Sequence, residues 1–269
     1  MFDYLLSLFG YRFFQYALIG GSIAALTCAL IGLFVILRKE SMIGDGVAHI
    51  SFGGIALGLF LGVNPLVTAL AFSVVGVLLI SYMRRRGLAQ SDSAIAVMLA
   101  VGFSTGLIII SLAGGFNVEL FSFLFGSILT ISGFDLALIA VLGLSTLLVV
   151  GVFYKELLSI TFDEEASRLM GIPVGVLSTV FNVLVAVTIV LSIKVVGMIL
   201  VAALLVLPGL TALQLDRPFR GTAVVSIVVG VACVLTGVLV SALFDVATSG
   251  VIVFTLVAVF LFTAAYRRI

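Results

Sequence analysis

Within the stretch "RKESMIGDGVAHISFGGIALGLFLG", residues 38–62, stand Asp45 and His49, the latter the sole histidine among 269 residues. On a helix, positions i and i+4 are stacked neighbours, so the carboxylate and the imidazole leave one face together and can share one ligand. A neutral imidazole beside a carboxylate suits zinc, manganese or iron(II), and the absence of a nearby thiolate argues against a soft copper(I) site. Two ligands are too few for a closed site. A symmetric dimer would bring two of each residue to its axis and supply four. A plainer reading stands beside this one: Asp45 caps the start of a helix and His49 is hydrogen-bonded to a neighbour. An ionisable residue at the centre of a membrane span costs about 2.5 to 3.5 kcal/mol, so such residues face a cavity or a partner.

The elements that must position this pair are set by composition. Hydrophobic residues make up 63% of the chain and charged ones 9%, and the mean hydropathy is +1.45, whereas soluble domains carry roughly a quarter charged residues. Long apolar stretches without period-2 alternation imply membrane-spanning helices and not a barrel. The expected fold is an all-α polytopic membrane helix bundle, a single transmembrane domain over residues 1–269 with eight or nine spans. Nine candidates are 15–37, 43–62, 65–83, 93–113, 135–154, 175–193, 195–214, 221–243 and 250–266. The division between the sixth and seventh rests only on Lys194 and Gly197 as turn signals. With nine alternating spans, Arg38, Lys39, Arg84, Arg85, Arg86, Lys155, Arg168, Arg217, Arg220, Arg267 and Arg268 share one side, with Arg12 and Lys194 opposite. By the positive-inside rule the first side is cytoplasmic and the C-terminus lies there. The opening residues show no basic region and no cleavage site, so no removable signal peptide is expected. A net charge of +1 points to no polyanionic partner, nucleic acid included. Cys28 and Cys233 lie inside apolar spans and read as small buried hydrophobes.

Two segments do not read as spans. "NVELFSFLFGSILTISG", residues 117–133, is apolar but too short, and is expected to be re-entrant or interfacial. "TFDEEASRLMGIPV" places Asp163 at an N-cap, Glu164 and Glu165 in a first turn, Arg168 late, Gly171 past the end and Pro173 beyond. That pattern builds a short helix outside the bilayer, from which a cysteine at Ser167 is expected to reach a partner. Gly54, Gly58 and Gly62 form a small-residue ridge for helix packing. Pro208, inside an apolar span, should kink it and is a candidate hinge. No GxxxxGK[ST] loop occurs, so the chain cannot bind ATP by that route.

The chain resembles the permease subunit of the ATP-binding-cassette importers for zinc, manganese and iron. The resemblance rests on "FVILRKESMIGDGVAHISFGGIALGLFLG", "ELFSFLFGSIL", "LLSITFDEEASRLMGIPV", "VVGMILVAALLVLPGLTA" and "DVATSGVIV", in that order. It implies that Asp45 and His49 coordinate the transported metal. It also implies that the segment Phe162 to Gly171, with Asp163, Glu164, Glu165 and Arg168, is a coupling helix docking on a cytoplasmic ATP-binding subunit. The implied assembly is a homodimer in a prokaryotic cell membrane, served by an extracytoplasmic metal-binding protein, with no permanently bound cofactor and no enzymatic activity of its own. Three positions depart from the family's pattern: Gly46 stands for Ala, Ala48 for Ser and Gly53 for Pro. Rival readings are an importer of a metal chelate or vitamin on the same architecture, an intramembrane metalloenzyme, and a passive channel. Asp45 and His49 speak against the first, and a single histidine with no HExxH against the second.

Overall fold

The computed structural model describes residues 10–115, 118–126 and 131–267. These residues form twelve helices and no strand: α1 (Arg12–Leu37), α2 (Ile43–Leu61), α3 (Pro65–Arg85), α4 (Ser91–Leu112), α5 (Val118–Phe125), α6 (Gly133–Val152), α7 (Tyr154–Phe162), α8 (Glu164–Leu169), α9 (Val174–Val196), α10 (Val201–Leu213), α11 (Phe219–Phe244) and α12 (Thr248–Arg267). Eight of them, α1 to α4, α6, α9, α11 and α12, are long and apolar enough to cross a membrane. Local chemistry sets their ends. Asn64 Oδ1 accepts the N–H groups of Leu66 and Val67, Pro65 opens α3, and Arg84 and Arg85 sit in its last turn, an arrangement that satisfies orphan donors first and opposes the helix dipole's negative end last. Ser132 and Asp135 form a reciprocal capping box at the start of α6.

The most enclosed helices are α1, α2 and α9, while α4, α6 and above all α12 leave most of their surface open. Lipid tails are as apolar as leucine, so close backbone approach and interhelical hydrogen bonds must hold such a bundle together. Both occur around α2. A Cβ at Gly54 would stand 2.7 Å from Ala69 Cα, and one at Gly58 2.8 Å from Pro65 Cα, so this ridge seats α3. Gly62, expected to extend it, is instead the left-handed cap of α2, and a Cβ there would meet no neighbouring helix. The Ser51 and Ser73 hydroxyls meet at 2.7 Å between α2 and α3. Cys28 and Cys233 are free and buried, with Cys28 Sγ 3.0 Å from Ser192 Oγ.

The seventh expected span, 195–214, is replaced by something shorter. Helix α9 runs on through Lys194 to Val196, and α10 has 13 residues, about 20 Å of helix against a hydrocarbon core of about 30 Å. Between them lies a break that α5 repairs: Met198 N–H donates to Phe123 O at 3.0 Å and Ile199 N–H to Leu124 O at 3.3 Å. Gly197 and Gly126 face each other there with φ of +81° and +73°, and a Cβ on Gly197 would lie 2.4 Å from Phe125 C, so neither position tolerates a side chain. The described part of the segment expected to be re-entrant or interfacial is thus a short helix with Leu120 and Phe123 against the bundle and Phe121 and Phe125 open; residues 116–117 and 127–130 lie outside the described residues. Lys194 is no loop residue. It is buried in the last turn of α9, its Nζ 3.4 Å from Asp135 Oδ2 and 4.5 Å from the Phe123 ring centre, which pairs its charge and lets a lysine stay among apolar neighbours.

Short as it is, α10 leads the chain back to the basic end. Phe219, beyond it, packs on Phe34 and Tyr154 with ring centres 5.0 and 5.8 Å apart, and the Arg220 guanidinium lies 5.8 Å from the Tyr154 ring. Arg38, Arg84, Arg85 and Arg168 surround one cavity at that same end. The gathering of cations expected from span alternation therefore holds for these residues, although α10 is not a full span; Arg268 lies outside the described residues.

Candidate functional site

Helix α2 begins at Ile43 with Met42 as its N-cap and no side-chain capping bond. Asp45 is the third residue of the first turn. There its charge complements the helix dipole, but it caps nothing, and among the described residues its carboxylate has no hydrogen bond or ion pair. The plainer reading of Asp45 as a cap is therefore not what the backbone adopts. One turn on, His49 Nδ1 lies 2.9 Å from the Asp45 carbonyl oxygen. A carbonyl only accepts, so Nδ1 carries the proton, and in the neutral ring Nε2 keeps its lone pair. Metal-binding histidines are oriented in this way. Both residues are half-buried. The His49 ring meets Phe103 of α4 edge-on with centres 5.4 Å apart, and Phe103 stacks on Phe52 at 5.4 Å. Sequence reasoning missed Phe103, and nothing local in the sequence marks an aromatic one helix away from its target.

The contact between α2 and α4 accounts for two of the departures from the family pattern. A Cβ on Gly46 would fall 2.5 Å from Ile95 Cγ2, and one on Gly53 2.8 Å from Gly102 O. Glycine at both places admits α4 to van der Waals distance of the α2 backbone, where Gly102 lies against Ile50 Cα and His49 O. Nothing in the structure explains Ala48. Among the described residues no group of three or more His, Cys, Asp and Glu side chains comes together, so this pair has no third such ligand among them. On the far side of α4, Ala96, Ala100 and Ser104 are exposed at a spacing of four, a second small-residue ridge that the sequence displayed and the reading above passed over.

At the basic end the short outer helix is built as its sequence implied. Asp163 Oδ1 accepts Ala166 N–H at 2.9 Å, Glu164 and Glu165 fill the first turn, Arg168 lies 3.6 Å from Glu164, and Gly171 turns the chain with φ of +81°. Phe162 ends α7 instead of beginning α8. Ser167, expected to reach outward, is buried: its hydroxyl donates to Asp163 O and lies 2.7 Å from Ser159 Oγ. The outward apolar residues are Leu169, 90% exposed, with Met170 and Phe162 about two-thirds exposed. Pro208 is buried inside α10, where it leaves Leu204 O without its helical donor. Close by, the Leu205 carbonyl presses on α1, where a Cβ at Gly32 would come within 1.7 Å of it.

Residues 10–267 match the sequence model of the ABC 3 transport family. The chain is 32% identical over 265 residues to the manganese transport system membrane protein MntC of Halalkalibacterium halodurans, covering 98% of this chain and 89% of that one. It is 30% identical over 259 residues to the manganese import system permease protein ScaB of Streptococcus gordonii, covering 96% and 93%. Among solved structures it superimposes on PsaBC from Streptococcus pneumoniae in complex with Fab with a TM-score of 0.87 at 30% identity, over 97% of this chain and 94% of that one.

Proposed function

The chain belongs to the ABC 3 transport family, and from that premise we propose that it is the membrane-spanning subunit of an ATP-driven importer of a divalent transition-metal ion, manganese foremost. The observation that carries this reading is the pairing on α2: the Asp45 carboxylate has no partner among the described residues and His49 presents Nε2. The names of relatives that transport manganese support the choice of ion. Two copies would meet about an axis shared by both pairs, which supplies four ligands. Coordination by two carboxylates and two imidazoles offsets part of the ion's dehydration and still allows release.

The basic end faces the cytoplasm in this reading, so the C-terminus lies inside and the segment from Phe162 to Gly171 docks on a separate ATP-binding subunit. An extracytoplasmic protein delivers the ion from the other side. Alternating access follows when ATP binding and hydrolysis displace α8 and the spans rock about the shared site, with Pro208 a candidate hinge. Reconstitution with the ATP-binding subunit in vesicles tests the proposal. Manganese accumulation on addition of ATP at the α8 side is expected. Equal metal flux without the ATPase would mean a passive channel and would sink it.

A further inference from the structure

At the basic end, α1, α3, α8 and α9 border a half-open polar cavity of about 350 Å³ whose lining includes Arg38, Arg84, Arg85, Arg168 and Glu164. Arg38 follows α1 with its side chain only 8% exposed; it lies 3.7 Å from Glu40, donates to Ser178 Oγ at 3.3 Å and stacks over Phe181 at 4.8 Å. Glu40 is shared, because Arg84 donates to it at 2.7 Å. Arg85 reaches Gly175 O and Thr179 Oγ1 but no carboxylate. Four guanidiniums against Glu40 and Glu164 leave two positive charges in excess; the Arg38 side chain is buried, Arg84 half-buried, and Arg85 and Arg168 are exposed, so the cavity carries a positive surplus that attracts an anion. Burial pushes the Arg38 guanidinium below its ordinary value, with Glu40 pulling it up and Arg84 pushing it down further.

The wall adds hydroxyl and amide groups. Asn182 Nδ2 donates to Ser81 Oγ at 3.0 Å, and Ser81 donates to Val77 O, which fixes the amide's orientation. Asn182 Oδ1 is then a buried acceptor with no partner among the described residues, which a P–OH or the hydroxyl of a glycerol headgroup can satisfy and an ionised phosphate oxygen cannot. Serine and threonine hydroxyls at 178 and 179 line the same space. Planar guanidiniums on several sides match the oxygens of a phosphate group bidentately, as a lone ammonium would not. We propose that this cavity is a binding site for a phosphate group, either free phosphate or the headgroup of an anionic lipid. Because Glu164 and Arg168 of α8 form part of the wall, occupancy is coupled to the position of that helix, which makes the site a means of adjusting transport from the cytoplasmic side. The chemistry of the cavity stands whether or not the metal reading holds.

The test uses the full chain in a neutral detergent. Inorganic phosphate is titrated against chloride at matched ionic strength with thermal unfolding as readout, and native mass spectrometry follows retention of phosphatidylglycerol against phosphatidylcholine. Protection by phosphate assigns the site to a free anion; selective retention of phosphatidylglycerol without a phosphate effect assigns it to lipid. In either case Arg85→Gln should weaken binding roughly tenfold, the loss expected for one charge-assisted hydrogen bond. Arg86→Gln, outside the cavity, should leave binding unchanged. Arg84→Gln risks the fold because it strips Glu40, whereas Arg85 is exposed and keeps the test clean. Absence of both ligands, equal protection by chloride, an equal loss in Arg86→Gln, or loss of binding once the ATP-binding subunit is docked would each overturn the proposal.

Discussion

The bond from His49 Nδ1 to the Asp45 carbonyl decides what the pair can do, because it turns a lone histidine into a presented acceptor. If Asp45 and His49 hold the ion, His49→Ala should lower uptake by more than about tenfold, the loss typical even for residues that merely orient a ligand. Asp45→Asn should do the same, since the amide keeps the size and loses the charge. Asp45→Asn removes no capping bond and should cost only the charge–dipole interaction, about 0.3 to 1 kcal/mol, whereas His49→Ala also loses the bond to the Asp45 carbonyl and the Phe103 contact, about 1 to 3 kcal/mol. Uptake assays at matched membrane expression, with unfolding curves alongside, check both. Near-normal uptake by Asp45→Asn would remove the carboxylate from the proposed site. This pair was legible in the sequence because spacing on one helix is a local property. Phe103 and the Glu40 carboxylate between Arg38 and Arg84 were not, because their partners stand on other helices.

Between elements, the α2–α4 contact is the most demanding. A methyl on Gly102 would stand 2.5 Å from Ile50 Cα and 2.8 Å from His49 O, both backbone atoms that cannot rotate away. Overpacking of this kind costs about 1 to 3 kcal/mol, which outweighs the 0.5 to about 1 kcal/mol that alanine gains over glycine in a helix. Gly102→Ala should therefore lower the unfolding midpoint and reduce uptake together, because it pushes the His49 backbone; a variant at least as stable as the parent would show that the helices separate at no cost. The short helix α8 makes the opposite case, being open to water and partners. Leu169 is 90% exposed, so Leu169→Glu should leave stability unchanged while weakening the complex with an ATP-binding subunit about tenfold or more, as loss of an interface anchor does. Co-purification and ATPase measurements on the variant decide, and an undiminished complex would count against α8 as the docking element.

At the scale of the whole molecule, composition alone dictated a helical membrane bundle, and charge placement brought the arginines of four elements to one end. What composition could not resolve was the break at Gly197. A lysine in an apolar run looks like a loop until its counter-charge is known, and Asp135 comes from a helix distant in sequence; α10 also looks like a span until the carbonyls of α5 are seen accepting the N–H groups of the gap. The remaining question at this scale is where a second copy sits. The Ala96, Ala100 and Ser104 ridge is an exposed small-residue face of α4, the helix that packs on α2, and such ridges let helix backbones approach within disulfide range, about 4.4 to 6.8 Å between Cα atoms. Ala100→Cys should then form an oxidative dimer in membranes. Cys28 and Cys233 are buried and should contribute little background, since reactive thiols are accessible ones. Phe254→Cys, on the open face of α12 and 76% exposed, serves as the control. Cross-linking at Phe254 with none at Ala100 would place the partner on α12, and α4 would have to be abandoned as the contact between copies.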